Sequence, residues 1–338
     1  MEDYQKMDKK QVQTDNIRLD IFLSQNLEYS RNQLENLIKK GFVSVNNKQI
    51  LKSGYKLKIN DIVSYEIQEA QENTKEKISI NDISLDIEVI YEDDDILVIN
   101  KPSNLTVHDA PSVNEPTLVD WLKSKNYSLS TISGDLRHGI VHRLDKGTSG
   151  VMVIAKNNNA HIHLSNQLQD KSMGRYYLAM IDLPLKENII IEQPIARNPK
   201  DRLKMAIVEN GRYAKSAFYK IENSTNNKYE LICAKLFTGR THQIRVHLNY
   251  LNRHILGDVL YGFKGNLDIF SRVCLHAYIL YLYHPVTNKH MSFMAKVPSD
   301  MQTLMDTYFS TKDIYDKISK DNIIGYFDFD NKRLFSTR

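Results

Sequence analysis

Thirteen residues in mid-chain, His138-Gly-Ile-Val-His-Arg-Leu-Asp-Lys-Gly-Thr-Ser-Gly150, crowd acid, base and hydroxyl groups among three glycines and run directly into the apolar Val151-Met-Val-Ile-Ala155. The pattern reads as strand, polar turn and strand, with residues 139–142 as the first strand. Gly147 and Gly150 would let the backbone turn tightly, and Thr148 and Ser149 would bond nearby N–H groups, so that Asp145 is presented from a rigid loop. A carboxylate held in that way can attack an electrophilic carbon or take a proton. An aspartate beside a glycine is more often only a turn former, so other segments must decide between the two readings.

Two segments bear on it. In Leu236-Phe-Thr-Gly-Arg-Thr-His-Gln-Ile-Arg-Val-His-Leu248, Arg240, His242, Arg245 and His247 stand on a turn and the first turns of a helix whose apolar face is Ile244, Leu248 and Leu251. Arg245 follows core-facing Ile244 by one position, about 100° round the helix, which puts it at the edge of the buried face where an arginine needs a carboxylate partner. In Arg175-Tyr-Tyr-Leu-Ala-Met180, strand alternation puts Tyr177 on one face with Arg175 and Ala179, as an aromatic platform for a nucleobase or as plain core.

Metal and cofactor chemistry find no support. His138 and His142 have i, i+4 spacing but fall in a stretch read as strand, where they would lie more than about 10 Å apart. His161 and His163 sit on a helix at a spacing that does not converge. Cys233 and Cys274 stand alone, without CxxC spacing, as core residues of a chain in a reducing compartment would. No GxxxxGK[ST], GxGxxG or GxSxG motif occurs, Gly147-Thr-Ser-Gly150 having the wrong spacing for the last. An enzyme with no metal and no cofactor is expected.

The elements that must position these residues fall into two domains, a reasonable division of 338 residues. The apolar runs are strand-sized, short of the roughly 18 to 20 residues of a membrane span. The first sixteen residues lack the apolar region of a secretory signal. A cytoplasmic chain without a membrane partner follows. Residues 14–68 read as two helices and then short strands. Ser30 would cap the second helix and Gly41 end it, residues 42–45 form a strand before the Asn46-Asn47 turn, and residues 55–66 carry further strand character. Residues 69–80, charged and amide-rich, read as a linker.

In residues 81–311, strand-like runs at 85–91, 96–100, 151–155, 176–181, 216–221 and 231–236 are interrupted by helices near 159–169 and 241–251. Without regular strand–helix alternation the class is α+β: a mixed, mainly antiparallel sheet with flanking helices, plus the small N-terminal α/β domain. Residues 312–338 suggest no role. The net charge of +4 is small but unevenly placed. Arg31, Lys39, Lys40, Lys48, Lys52, Lys56 and Lys58 face only Glu35 between residues 31 and 58, and residues 197–220 hold a second basic run. Either neutralises phosphate or is a solvated face.

The run His142-Arg-Leu-Asp-Lys-Gly-Thr-Ser-Gly150 resembles the HRLDxxTSG signature of pseudouridine synthases of the large-subunit ribosomal RNA type, and Arg240-Thr-His-Gln-Ile-Arg245 is similar to their RxHQIR motif. The likeness continues through Tyr91-Glu-Asp, Asn100-Lys-Pro102, Tyr177-Leu-Ala, Ile255-Leu-Gly-Asp258, Tyr261-Gly262 and Leu275-His-Ala277. At the front, Arg18-Leu-Asp20, Ser30-Arg31, Leu37-Ile-Lys-Lys-Gly41, Val43 and Val45-Asn46 resemble the RNA-binding domain of ribosomal protein S-four type. Three turns depart from the pattern: Asn104 and Asn47 stand where glycine is usual, and Asn252-Arg-His254 replaces a Gly-His-Pro-like turn.

The resemblance implies a cofactor-free isomerase that converts uridine in structured RNA to pseudouridine, acting on ribosomal RNA or, alternatively, on transfer RNA, as a monomer. It assigns Asp145 as the catalytic carboxylate, Tyr177 to the face of the uracil, and Arg245 to the pair with Asp145. Arg143 would enter the stack the base leaves, and His142, Arg240, His242 and Leu275 would bind substrate. Arg18, Arg31, Lys39, Lys40 and Lys48 would grip RNA. Breaking N1–C1′ and joining C5 to C1′ needs one carboxylate at the ribose, either attacking C1′ or removing the C2′ proton, and a dry pocket that retains the base. Two rivals are a noncatalytic RNA-binding protein, against which the Asp145, Tyr177 and Arg245 set argues, and glycosidic hydrolysis, which commonly uses two carboxylates and would release uracil.

Overall fold

The computed structural model describes residues 7–27, 31–66, 85–109, 113–134, 137–309, 313–327 and 335–337. Two compact units emerge, Met1–Lys77 and Ile78–Arg338. The expected linker at 69–80 lies outside the described residues, as does Ser30.

In the first unit, strand β1 (Met7–Gln11) precedes helices α1 (Leu19–Asn26) and α2 (Arg31–Lys39), then strands β2 (Val43–Val45), β3 (Lys48–Gln49) and β4 (Ile62–Glu66). The sheet order is β1-β4-β2-β3. Leu19, Phe22 and Leu23, spaced i, i+3, i+4, bury one face of α1 against Leu34, Ile38, Val43 and Val63. Gly41, at φ +84°, ends α2 with its N–H on the Ile38 carbonyl. One element is added to the sequence reading and one expectation is corrected. The polar N-terminal stretch contributes β1, antiparallel to β4. Residues 55–61 are not a strand: Lys56 makes only an isolated bridge, to Arg18, with the Leu57 N–H on the Ile17 carbonyl, and Asp61 then accepts the Lys58 N–H as the chain turns at 59–60.

The second unit runs β5 (Glu88–Glu92), β6 (Ile96–Lys101), α3 (Leu118–Ser124), β7 (Ser149–Ala155), α4 (Asn158–Asp170), β8 (Gly174–Asp182), β9 (Ile189–Glu192), β10 (Ile195–Arg197) and β11 (Met205–Ile207). It continues with β12 (Lys215–Asn223), β13 (Tyr229–Leu236), α5 (Gln243–Tyr250), β14 (Leu275–Tyr283), β15 (His290–Met294), α6 (Ser299–Tyr308), α7 (Ile314–Lys317), α8 (Lys320–Gly325) and β16 (Ser336–Thr337). Among the described residues, ten strands form one sheet in the order β16-β9-β12-β13-β8-β14-β7-β6-β5, with β15 on β14, while β10 and β11 make a separate hairpin. Pairing is antiparallel except at β14–β7 and β16–β9. The class is the expected α+β. Strand β14 is the seam: it pairs with β7 on one side and β8 on the other.

Residues 139–142 are not a strand. Gly139 has φ +69° and only Ile140 makes a bridge, to Ile154, so the segment is a turn laid across β7. The tail that suggested no role is built into the core: Ile314, Ile318, Ile323 and Phe327 are buried there, and the Tyr326 ring stacks on Tyr219 at 4.1 Å. Asn47, Asn104 and Asn252, the three departures from glycine or a glycine-like turn, all have positive φ, which asparagine tolerates better than other non-glycine residues. Among the described residues no helix is long and apolar enough to cross a membrane.

Candidate active site

Asp145 sits on the loop leading into β7, its side chain 18% exposed. Its carbonyl accepts the Thr148 N–H at 3.0 Å, which closes the turn. A second turn clamps the loop from behind: Ser103 Oγ donates to the Gly147 carbonyl at 2.9 Å, and Lys101 Nζ donates to the carbonyls of Pro102 and Leu105 at 2.8 Å and of Lys146 at 3.4 Å. Burial pushes the Lys101 ammonium down to about 7, with the nearby Asp145 opposing that shift. Ser149 does not bond local N–H groups as predicted. It meets His276 Nδ1 at 2.9 Å and receives Arg272 Nη1 at 3.2 Å. Nor does Gly147 have a positive φ. Gly150 does, at +122°, and a Cβ there would come 2.1 Å from the Ala277 carbonyl oxygen, so the glycine permits close approach of β7 to β14.

The arginine at the edge of α5 finds its carboxylate, and it is principally Asp258. Arg245 Nε and Nη2 form a bidentate pair with Asp258 at 2.7 Å each, leaving Nη1 to reach Asp145 Oδ2 at 3.2 Å. Its guanidinium also lies over the Tyr261 ring at 4.7 Å. The pairing with Asp258 and Asp145 outweighs desolvation and raises the Arg245 pKa. His242, in the left-handed region at φ +56°, begins the helix. Its Nδ1 meets Tyr261 Oη at 2.8 Å and its Nε2 lies 3.9 Å from Asp145 Oδ2. Burial lowers the His242 pKa, holding the ring neutral. Gln243 locks the preceding turn, accepting from Thr238 Oγ1 and the Arg240 N–H and donating to the Lys215 carbonyl and Ser216 Oγ.

These groups surround a cavity of about 550 Å³, within the usual range for a small-molecule site. It brings together all eight residues singled out for catalysis and substrate binding: Asp145, Arg245, Tyr177, Arg143, His142, Arg240, His242 and Leu275. Tyr177, Leu236, Ile244 and Leu275 give it an apolar floor, and Arg137, Arg143, Arg175, Arg212 and Arg240 line it with charge, while among the described residues Asp145 is its only lining carboxylate. Burial raises the Tyr177 phenol, keeping it protonated. Arg143 is exposed. Arg240 Nε donates to the Tyr213 carbonyl at 2.9 Å.

His142 is buried with both ring nitrogens engaged, Nε2 by the Val153 N–H and Nδ1 by Arg175, and the strand spacing invoked to separate it from His138 does not apply. Asp93, Asp95 and His284 cluster closely enough to suggest a cation. However, His284 Nδ1 accepts the Val286 and Thr287 N–H groups, so Nε2 carries the proton and donates to Asp93 at 2.9 Å. The cluster is an internal hydrogen-bond network. Sequence reasoning did not single out Asp258, Lys101, Gln243 or Arg175. All four stand inside runs quoted above, Arg175 at the head of Arg175-Tyr-Tyr-Leu-Ala-Met180, and the expected carboxylate partner of Arg245 was the signal for the first.

In the first unit, Lys39 and Lys40 are exposed at the end of α2 and Lys48 on β3. Arg18 is committed to the buried Asp20 through Nε and Nη2, at 3.0 and 2.8 Å. The side chain of Arg31 is outside the described part.

Residues 95–250 match the RNA pseudouridylate synthase family and residues 17–63 the S4 domain. An uncharacterized RNA pseudouridine synthase of Helicobacter pylori (strain ATCC 700392 / 26695) is 47% identical over 93% of this chain and 97% of its own length. The ribosomal large subunit pseudouridine synthase D of Pseudomonas aeruginosa is 36% identical over 82% of this chain and 87% of its own. Among solved structures, the human RNA pseudouridylate synthase domain containing 1 superposes with a TM-score of 0.54 at 24% identity, covering 66% of this chain and 88% of that one, a likeness of fold.

Proposed function

Since the chain belongs to the RNA pseudouridylate synthase family, we propose that it isomerises uridines of ribosomal RNA with Asp145 as the acting carboxylate and without a cofactor. The observation that carries this is the cavity itself, where among the described residues Asp145 is the only lining carboxylate and Arg245, braced by Asp258, reaches its Oδ2. The target nucleotide leaves its helix, since C1′ and C5 are out of reach in a stacked duplex. Exposed Arg143 fills the gap, and the uracil lies against Tyr177 and Leu275. Asp145 acts at the ribose, N1–C1′ breaks, the base turns on the apolar floor, C5 joins C1′ and then loses its proton, and N1 gains one, so the product is an isomer of the uridine. His242 stays neutral beside Asp145 and does not compete for its charge.

Ribosomal RNA is preferred over transfer RNA because several relatives at 36% to 37% identity carry the name ribosomal large subunit pseudouridine synthase D. The S4 unit grips RNA through Lys39, Lys40, Lys48 and Arg31, with Arg18 contributing the edge not bound to Asp20. The enzyme works as a cytoplasmic monomer. Hydrolysis is disfavoured because, among the described residues, a second carboxylate does not line the cavity.

The test is pseudouridine formation in an unmodified large-subunit ribosomal RNA transcript, run beside binding on the same preparation. Asp145→Asn should bind and form none. Tyr177→Phe should keep the stacking surface, whereas Tyr177→Ala should also lose roughly 1 to 3 kcal/mol of binding. Turnover near wild type in Asp145→Asn, or release of free uracil, sinks the reading.

A further inference from the structure

Arg175, the second residue of β8, stands two positions before Tyr177, shares its face, and lines the same cavity. It is only 7% exposed. A guanidinium at that depth ordinarily meets a carboxylate. Among the described residues, the hydrogen bond of its side chain is to a histidine: Nη1 lies 2.8 Å from His142 Nδ1, while Nε has no acceptor.

That histidine is a poor partner. His142 Nε2 accepts the Val153 N–H at 3.1 Å, so the single proton of the neutral ring must sit on Nδ1, facing Arg175. Burial and Arg175 itself push the His142 pKa well down, so the ring is neutral. Arginine does not give up its proton, and two donors therefore face one another. Arg175 is a buried cation with one orphan N–H and another aimed at a donor. The surrounding arginines offer no relief, and the one carboxylate that lines the cavity among the described residues, Asp145, is taken by Arg245.

An unsatisfied charge of this kind awaits an anion from outside the protein. Nη2 faces the turn that carries Arg240, where Gly239 has no side chain: a Cβ there would stand 3.2 Å from that nitrogen. Tyr177 and Leu275 supply the apolar surface suited to a base, which leaves the Arg175–Gly239–Arg240 end for charge. We propose that Arg175 is a substrate-binding residue that takes the phosphate of the nucleotide flipped into the cavity, leaving His142 to do so. This rests on the reading that a uridine enters the cavity.

The experiment uses the full chain, the variants Arg175→Met and Arg175→Lys, and the same unmodified large-subunit ribosomal RNA transcript. Filter binding is measured between about 50 and 200 mM salt, and thermal unfolding without RNA. Arg175→Met should bind about tenfold more weakly, with a slope of log K against log salt shallower by about 0.9, the signature of one lost phosphate contact. Free of RNA, it should melt no lower than the wild type, because the guanidinium lacks a protein counter-charge. Arg175→Lys should restore most of the slope. An unchanged slope in Arg175→Met overturns the proposal, including when bound RNA is converted more slowly, which would assign the residue to the base. So does a lower melting temperature, the mark of a structural pair. If the wild type makes no pseudouridine, the proposed function fails, yet the slope still reports whether Arg175 meets phosphate.

Discussion

Arg245 serves two carboxylates unequally, with two short parallel bonds to Asp258 and one longer bond to Asp145. The first contact fixes where the guanidinium lies, and the second turns Nη1 to Asp145, the proposed acting group. Asp258→Asn keeps the shape but removes the buried counter-charge, so it should cost on the order of 3 kcal/mol of stability in urea unfolding. It should also slow single-turnover conversion, because Nη1 is no longer held at Asp145. A loss within about 0.5 kcal/mol, the range of ordinary surface changes, would rule the brace out. Asp145, Arg245 and Tyr177 were legible in the sequence because each stands in a short run whose polar residues interrupt an apolar period. Asp258 was visible only as a landmark, since nothing in Ile255-Leu-Gly-Asp258 says that its carboxylate folds back across α5. The lack of an anion for Arg175 among the described residues was wholly invisible, being a property of everything around it.

Secondary structure was most legible where one period ran unbroken, as in β7, β8, β13 and α4. It failed at residues 139–142, where Ile140 and Val141 mimic a strand but Gly139 takes a positive φ and the chain turns so that His142 can accept from β7. It failed again in the tail, whose buried residues Ile314 and Ile323 lie in, and Ile318 and Phe327 just after, helices too short to show a periodic face. The tight contact of β7 with β14 offers a direct test. Gly150→Ala places a Cβ against the Ala277 backbone at a φ that L residues avoid, so it should lower the unfolding free energy by more than about 3 kcal/mol. A variant that melts with the wild type would mean that this parallel pairing does not hold the sheet together.

For the whole molecule the buried imidazoles set the response to acid. Burial lowers His247 to about 4 and His276 to about 3 from an ordinary 6.5, and lowers His142 and His242 as well. Below pH 6.5 the unfolded chain takes up protons that the folded chain refuses, so the stability present above that pH is lost as pH falls toward 4 and 3. His247 alone should account for on the order of 3 kcal/mol of that loss. The urea midpoint should therefore drop steadily from pH 7 to pH 4, and His247→Gln should flatten the drop; a level wild-type profile would contradict it. The seam strand β14 bears on the order in which the molecule can be assembled. Asp145 leads into β7, whereas Tyr177 lies on β8 and Arg245 on α5, and the two halves of the sheet meet only through residues 275–283. Contacts between parts so distant in sequence form late and slowly. During synthesis, a ribosome that has not yet delivered β14 holds two unjoined half-sheets, with the carboxylate on one and the tyrosine and arginine on the other, so a chain cut short before the seam would carry the signature motifs and still be inert.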